Sequence, residues 1–195
     1  MTERYASPPE AYLVEQEKPP QEACGIVATY FTYPSSDGIA RLVSAGEALQ
    51  HRGPHGAGLA ISSALGFYRH AGSGKVTEAL PFQIIGEAQE KMKPQAWAVL
   101  QTRYGTSGDY EETNLQPAVV KTKNGDRITI VHNGEFVATD TLREQLPEAI
   151  KKIIPQGASD SVIFSHFLAS LDIEDPDERV EYALSQVTGA YSVAI

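Results

Sequence analysis

The sequence predicts an α+β fold of layered, largely antiparallel sheets, and three observations predict it. The β-rich runs come in groups with helical stretches gathered between them, rather than alternating strictly with helices. Two such runs flank Asn124-Gly125, a hairpin signal that makes the sheet at least partly antiparallel. No apolar run approaches the roughly 18 to 20 residues of a membrane helix, so the hydrophobic segments read as core.

Residues 1–23 carry four prolines and five glutamates with almost no hydrophobic periodicity, and read as an extended tail. The fold is expected to begin near Ala23, where CGIVATYF forms a short strand that Cys24 opens, followed by the turn YPSSDG. Asp37 or Ser36 then caps a helix in DGIARLVSAGEALQHRG, whose Ile39, Leu42, Val43, Gly46 and Leu49 share one face, with Gly53 as a stop. Residues 57–70 and 96–104 read as strands, with an amphipathic helix around Leu80 to Met92 between them. Arg103 leaves the end of the second. The hairpin AVVKTKNGDRITIVHNG turns tightly at Asn124-Gly125 and delivers His132, Asn133 and Gly134 at its tip. Helices are expected near Asp140–Leu146, Ser159–Leu171 and Pro176–Val187, the last capped by Asp175 with proline at its first position. The apolar run AYSVAI reads as one more core strand, so the domain is expected to continue beyond Ile195.

A net charge of −9 argues against a nucleic-acid partner, which calls for a basic face. A lone cysteine makes neither an internal disulfide nor a cysteine-rich zinc site, and the N-terminus lacks a signal peptide's apolar core; the expectation is a soluble, cytoplasmic protein. The five histidines show no ligand spacing, so no metal site is expected.

Residue by residue, the chemistry is muted. Cys24 alone reads as a small buried hydrophobe, although Gly25 beside it leaves the backbone open to close approach by another molecule. HRGPHGAG reads as a helix-to-strand loop, RYGTSG as a strand-to-turn junction with a surface arginine, and HNG as a turn. Ser159-Asp160 reads as a helix cap, where a carboxylate is favoured whether or not it binds anything.

Together, ACGIVATY, LQHRGPHGAG, TRYGTSG, VHNGEF and SDS occur in an order that resembles the glutaminase domain of class II glutamine amidotransferases, N-terminal-nucleophile (Ntn) hydrolases, over residues 23–195. Within that family the motifs are nearest to the branch that makes phosphoribosylamine in purine synthesis. The resemblance implies a four-layer αββα sandwich with Cys24 as nucleophile, attacking the side-chain amide of glutamine and releasing ammonia. It implies an oxyanion hole from the Asn133 side chain and the Gly134 N–H, Arg103 on the glutamine α-carboxylate, and Asp160 on the α-ammonium. It also places Thr106 as a hydroxyl that helps hold the substrate and Arg52 beside the nucleophile. The implied partners are free L-glutamine and a phosphoribosyltransferase-like synthase domain in the same or a partner chain, with no cofactor in this segment and a homo-oligomer left open.

In the family the catalytic base is the cysteine's own α-amine, which requires Cys24 to be the first residue of the mature chain. The tail is therefore expected to be a propeptide cleaved between Ala23 and Cys24, with the glutaminase domain spanning 24–195. Gln101 stands where the family commonly has histidine, Val162 where an acidic residue is usual, and Pro54-His55 replaces a glutamine-acid pair. Glutaminases of the aminosugar or glutamate-synthase type, other Ntn amide hydrolases, and an unprocessed, catalytically silent regulatory module remain alternatives on the sequence alone.

Overall fold

The computed structural model describes residues 24–32, 37–93, 95–105 and 114–195. The expected tail, Ser36 as a cap and Thr106 lie outside the described residues.

Two antiparallel sheets form the centre. The first has the order β1-β4-β2-β3, from β1 (Gly25–Tyr30), β2 (Gly56–Ser63), β3 (Gly66–Ser73) and β4 (Gln95–Arg103). The second has β5 (Ala118–Lys121), β6 (Arg127–Gly134) and β7 (Tyr191–Ala194), with β6 in the middle. Strand alternation sorts their side chains into three apolar layers. On the outer face of the first sheet, Leu59, Ile61 and Leu100 meet Ile39, Leu42 and Val43 of α1 (Gly38–Ala48), together with α2 (Val76–Ala79) and α3 (Phe82–Lys91). Between the sheets lie Ala60, Val99 and Val131 with Ile26, Phe67 and Trp97 packed on them. On the far face, Ile130 and Phe136 pack on Leu142 of α4 (Thr139–Gln145), on Phe164, Phe167 and Leu168 of α6 (Asp160–Ser170), and on Ala183 of α7 (Pro176–Ser185). Ile150 of the one-turn α5 (Glu148–Lys151) joins that layer. The result is the expected αββα sandwich.

Local chemistry explains most boundaries. Asp175 caps α7, its Oδ1 accepting from the N–H groups of Asp177 and Glu178 at 2.9 Å. Ser159 caps α6 by accepting from Val162 N–H. Asp37 stands at the N-cap of α1 without a side-chain cap bond, and its Oδ2 instead takes the Arg41 Nε–H at 2.9 Å.

The helix expected around Leu80 to Met92 is present as α3, with Pro81 at its N-cap, and the short α2 is a separate turn that ends before Leu80. Three expectations need correction. Cys24 lies one position before β1 rather than opening it. The run 57–70 is a hairpin, β2 and β3, turning through Ser63–Gly66. The Asn124-Gly125 turn is wider than a two-residue one: Gly125 N–H bonds Thr122 O, Thr122 N–H bonds Asp126 O, and only Gly125 takes positive φ. That is a bulged hairpin, which needs one glycine instead of two left-handed residues.

Candidate active site

The topology brings four strand ends together. In the first sheet Gly25 pairs with Thr102 and Gly56 with Arg103, so Cys24, the loop before β2 and the residues after β4 share one edge. Tyr104 N–H donates to Cys24 Sγ at 3.5 Å, and the Arg52 Nε–H donates to Cys24 O at 3.4 Å. Arg52 thus touches the backbone of Cys24, from the 3-10 turn Gln50–Arg52 that follows α1. The segment after β4 is fixed by His55, whose N–H donates to Arg103 O and whose Nδ1 accepts from Gly105 N–H, both at 3.0 Å. The close approach expected at Gly25 comes from within the chain: a Cβ there would lie 2.7 Å from Thr102 Oγ1 and 2.9 Å from Leu49 Cβ. Glycine at this position seats β1 against its neighbours rather than exposing backbone to a ligand.

The second sheet presents its edge from across the gap. Buried Gln101 of β4 reaches over and donates from Nε2 to His132 O at 2.7 Å. On the other side, β5 stops at Ala118 opposite Ile130, and the Gln116 side chain continues the pairing by accepting from His132 N–H at 2.6 Å. In an antiparallel strand N–H groups alternate sides. Glu135 and Val137 donate toward the β7 side, to Ala190 O and Thr188 O, so the next N–H on the His132 side is that of Gly134. It points where β5 no longer runs. HNG is therefore strand and not turn, with Gly134 at φ +120°.

Arg103 and Asp160 share an anchor. The Arg103 guanidinium donates to Asn114 O, while Asn114 Oδ1 accepts from Ser159 N–H at 2.9 Å, at the start of α6. The pair Ser159-Asp160 starts α6 as the sequence suggests, Ser159 at the N-cap and Asp160 in the first turn. Asp160 Oδ1 accepts from Ser161 N–H (2.7 Å) and Ser161 Oγ–H (3.1 Å), and its Oδ2 from Phe136 N–H (2.9 Å), leaving the carboxylate a quarter exposed (25%). The structure therefore joins Cys24, Arg52 and Arg103 on one edge, and Asn133, Gly134 and Asp160 on the other, through the Gln101 and Asn114 links. Thr106 lies outside the described residues.

His132 is enclosed between β6 and α6. Burial pushes its imidazole below the ordinary range, more than the nearby Asp160 carboxylate lifts it, and burial does the same to His166 on α6. A histidine whose folded value is depressed binds a proton in the unfolded chain first. Stability is then lost as pH falls below about 6.5, by up to about 1.4 kcal/mol per pH unit for each such histidine, until the folded value is reached. We expect urea midpoints to drop between about pH 6.5 and 5.5, and to drop less steeply in His132→Phe; a flat wild-type profile would contradict it.

Sequence reasoning missed Tyr104, Asn114, Gln116 and the bridging role of Gln101, because no local pattern marks a side chain that meets its partner across two sheets. Among the described residues no group of three or more His, Cys, Asp or Glu side chains could hold a metal ion. No described helix is long and apolar enough to cross a membrane. A cavity of about 660 Å³ opens at the other end of the inter-sheet gap, lined by Tyr30, Trp97, Arg127 and Val180 among others, and none of the expected site residues borders it.

No family model matches the sequence. Amidophosphoribosyltransferase from Synechococcus elongatus is 31% identical over 183 residues, 93% of this chain and 35% of that protein. The chloroplastic amidophosphoribosyltransferase of Vigna aconitifolia is 32% identical over 181 residues, 92% of this chain and 35% of its own length. The solved glutamine phosphoribosylpyrophosphate amidotransferase from B. subtilis, complexed with ADP and GMP, superposes with a TM-score of 0.64 at 26% identity, covering 88% of this chain and 34% of that one. The chain spans about a third of the length of the relatives it matches.

Proposed function

The chain belongs to the class II glutamine amidotransferase domain family, and from that premise we propose that it hydrolyses the side-chain amide of free L-glutamine to glutamate and ammonia. The ammonia passes to a phosphoribosyltransferase-like synthase domain, in the same or a partner chain, for phosphoribosylamine formation in purine synthesis. One observation carries the reading: the only cysteine of the sequence accepts from the N–H of Tyr104, and Arg103, the residue before it, shares an anchoring asparagine with the carboxylate-bearing start of α6.

In this reading the Cys24 thiol gives its proton to its own α-amine, which titrates near 8 when free, and the sulfur attacks the amide carbon. The oxygen becomes an oxyanion facing the Asn133 amide and Gly134 N–H. Collapse expels the amide nitrogen, which takes the proton back from the α-ammonium and leaves as ammonia. Water then cleaves the γ-glutamyl thioester, giving glutamate and the free thiol. Arg103 offers a planar fork to the α-carboxylate and Asp160 a negative charge to the α-ammonium, a two-ended grip suited to a free amino acid. Arg52 holds the Cys24 backbone, and the Thr106 hydroxyl helps to hold the substrate.

The base exists only when Cys24 is N-terminal, so residues 1–23 act as a propeptide in this reading. Intact mass and N-terminal sequencing, paired with glutamate release by the same preparation, test it. The expected result is activity only in chains that begin at Cys24. An active protein that still begins at Met1 would remove the proposed base.

A further inference from the structure

The groups assigned to the reaction leave His132 without a task, although it touches both the oxyanion strand and the Asp160 carboxylate. Its side chain is 2% exposed. Ser161 Oγ lies 2.8 Å from His132 Nδ1, 3.0 Å from Gln116 Nε2 and 3.1 Å from Asp160 Oδ1. A hydroxyl has one proton and two lone pairs. The glutamine amide nitrogen only donates and the carboxylate only accepts, so the serine proton goes to Asp160 and both lone pairs take donors. His132 must then carry its proton on Nδ1. That leaves Nε2 a bare acceptor, and Nε2 is buried with no hydrogen-bond partner among the described residues.

A face of the ring bears on the residue that donates to the second carboxylate oxygen. It stacks on Phe136 at 3.9 Å between centroids and 8° between planes, and Phe136 N–H is the donor to Asp160 Oδ2. Meanwhile the His132 backbone is clamped by Gln101 and Gln116, immediately before Asn133 and Gly134. One residue thus fixes the donors to both Asp160 oxygens and begins the segment that presents Asn133 and Gly134.

We propose that His132 is the positioning residue that holds the Asp160 carboxylate in register with the Asn133–Gly134 pair, acting through Ser161 and Phe136. The inference rests on the reading of Asp160 as the site of the substrate ammonium. Without the His132 ring, the Ser161 hydroxyl and the Phe136 segment that donate to Asp160 lose what orients them, so the carboxylate turns from the ammonium and the loss falls on recognition of the α-amino group.

The test uses the whole chain with Cys24→Ala to prevent turnover. Calorimetry compares L-glutamine with glutaramate, the same molecule without the α-ammonium. The parent is expected to prefer glutamine by about tenfold or more, as for a hydrogen bond to a charged group. Adding His132→Phe, which keeps a ring on Phe136 but removes the donor, should erase most of that preference. Adding His132→Asn, which restores a donor near the Nδ1 position, should keep it within about threefold. Separately, the imidazole 15N spectrum of the wild type should show the proton on Nδ1. A ring protonated on Nε2, an equal weakening of both ligands by His132→Phe, or a parent with no preference for the ammonium overturns the proposal. Should the Phe variant fail to fold, the wild-type spectrum still decides. A wild-type chain that begins at Cys24 and prefers glutamine yet never hydrolyses it would sink the glutaminase reading and leave this one standing.

Discussion

Cys24→Ala is expected to reduce glutamate release to background, a fall of about 10⁴-fold or more, while leaving the fold intact. The size of the effect follows from the absence of a substitute: the sequence contains no second cysteine. The donors to the oxyanion and the glutamine grip survive the substitution, but they stabilise a tetrahedral adduct that no longer has a sulfur to form it. The structural cost is small for an equally physical reason. Cys24 is half-buried just ahead of β1, its backbone carbonyl keeps the Arg52 contact, and the side-chain hydrogen bond lost among the described residues is a long N–H···S bond from Tyr104. Unfolding midpoints in urea should therefore correspond to a change within about 1 kcal/mol. Glutamate release retained in Cys24→Ala, measured on protein whose N-terminus has been sequenced, would exclude the thiol as nucleophile.

Elements with local signatures were legible in the sequence. Asp175-Pro176 and Ser159 cap their helices through residues two or three positions away, so those boundaries are written in short stretches of chain. The β2–β3 turn was not, because Ser63–Gly66 holds no Asn, Asp or Pro, and Leu65, 69% exposed at its tip, reads as one more apolar strand residue. For the site, five short motifs in order pointed to Cys24, Arg103, Asn133, Gly134 and Asp160. What links those residues was invisible. Gln101, Gln116 and Ser161 reach His132 from 31, 16 and 29 positions away, and nothing in a glutamine's neighbours announces that it will finish a strand ladder. Gln101 illustrates the point: it appears as a departure from the family's usual histidine, yet the structure gives it a donor's work that its amide performs at 2.7 Å. A donor was needed there, and more than one residue type supplies one.

Asn133 and Gly134 should respond to alanine in opposite ways, and the contrast separates chemistry from scaffold. The Asn133 side chain belongs to a residue half-buried on β6 and paired with Ser192, so shortening it leaves the strand in place. Its loss removes a donor needed only when the amide oxygen becomes charged; kcat should fall by about 10²- to 10³-fold with KM nearly unchanged. Gly134 adopts φ +120°, and a Cβ there would lie 2.1 Å from Ala190 O and 2.7 Å from Tyr191 Cα. Those atoms are backbone of the neighbouring strand segment and cannot rotate away, so Gly134→Ala must shift β6 against β7 or leave the positive-φ region. The expected cost is about 2 to 5 kcal/mol of stability, from backbone strain together with overpacking. Its activity loss should come with a lowered urea midpoint, whereas Asn133→Ala should keep the wild-type midpoint. Equal midpoints for the two variants would mean that β6 tolerates a side chain at 134. An Asn133→Ala enzyme with unchanged kcat would mean that the oxyanion is held by other donors.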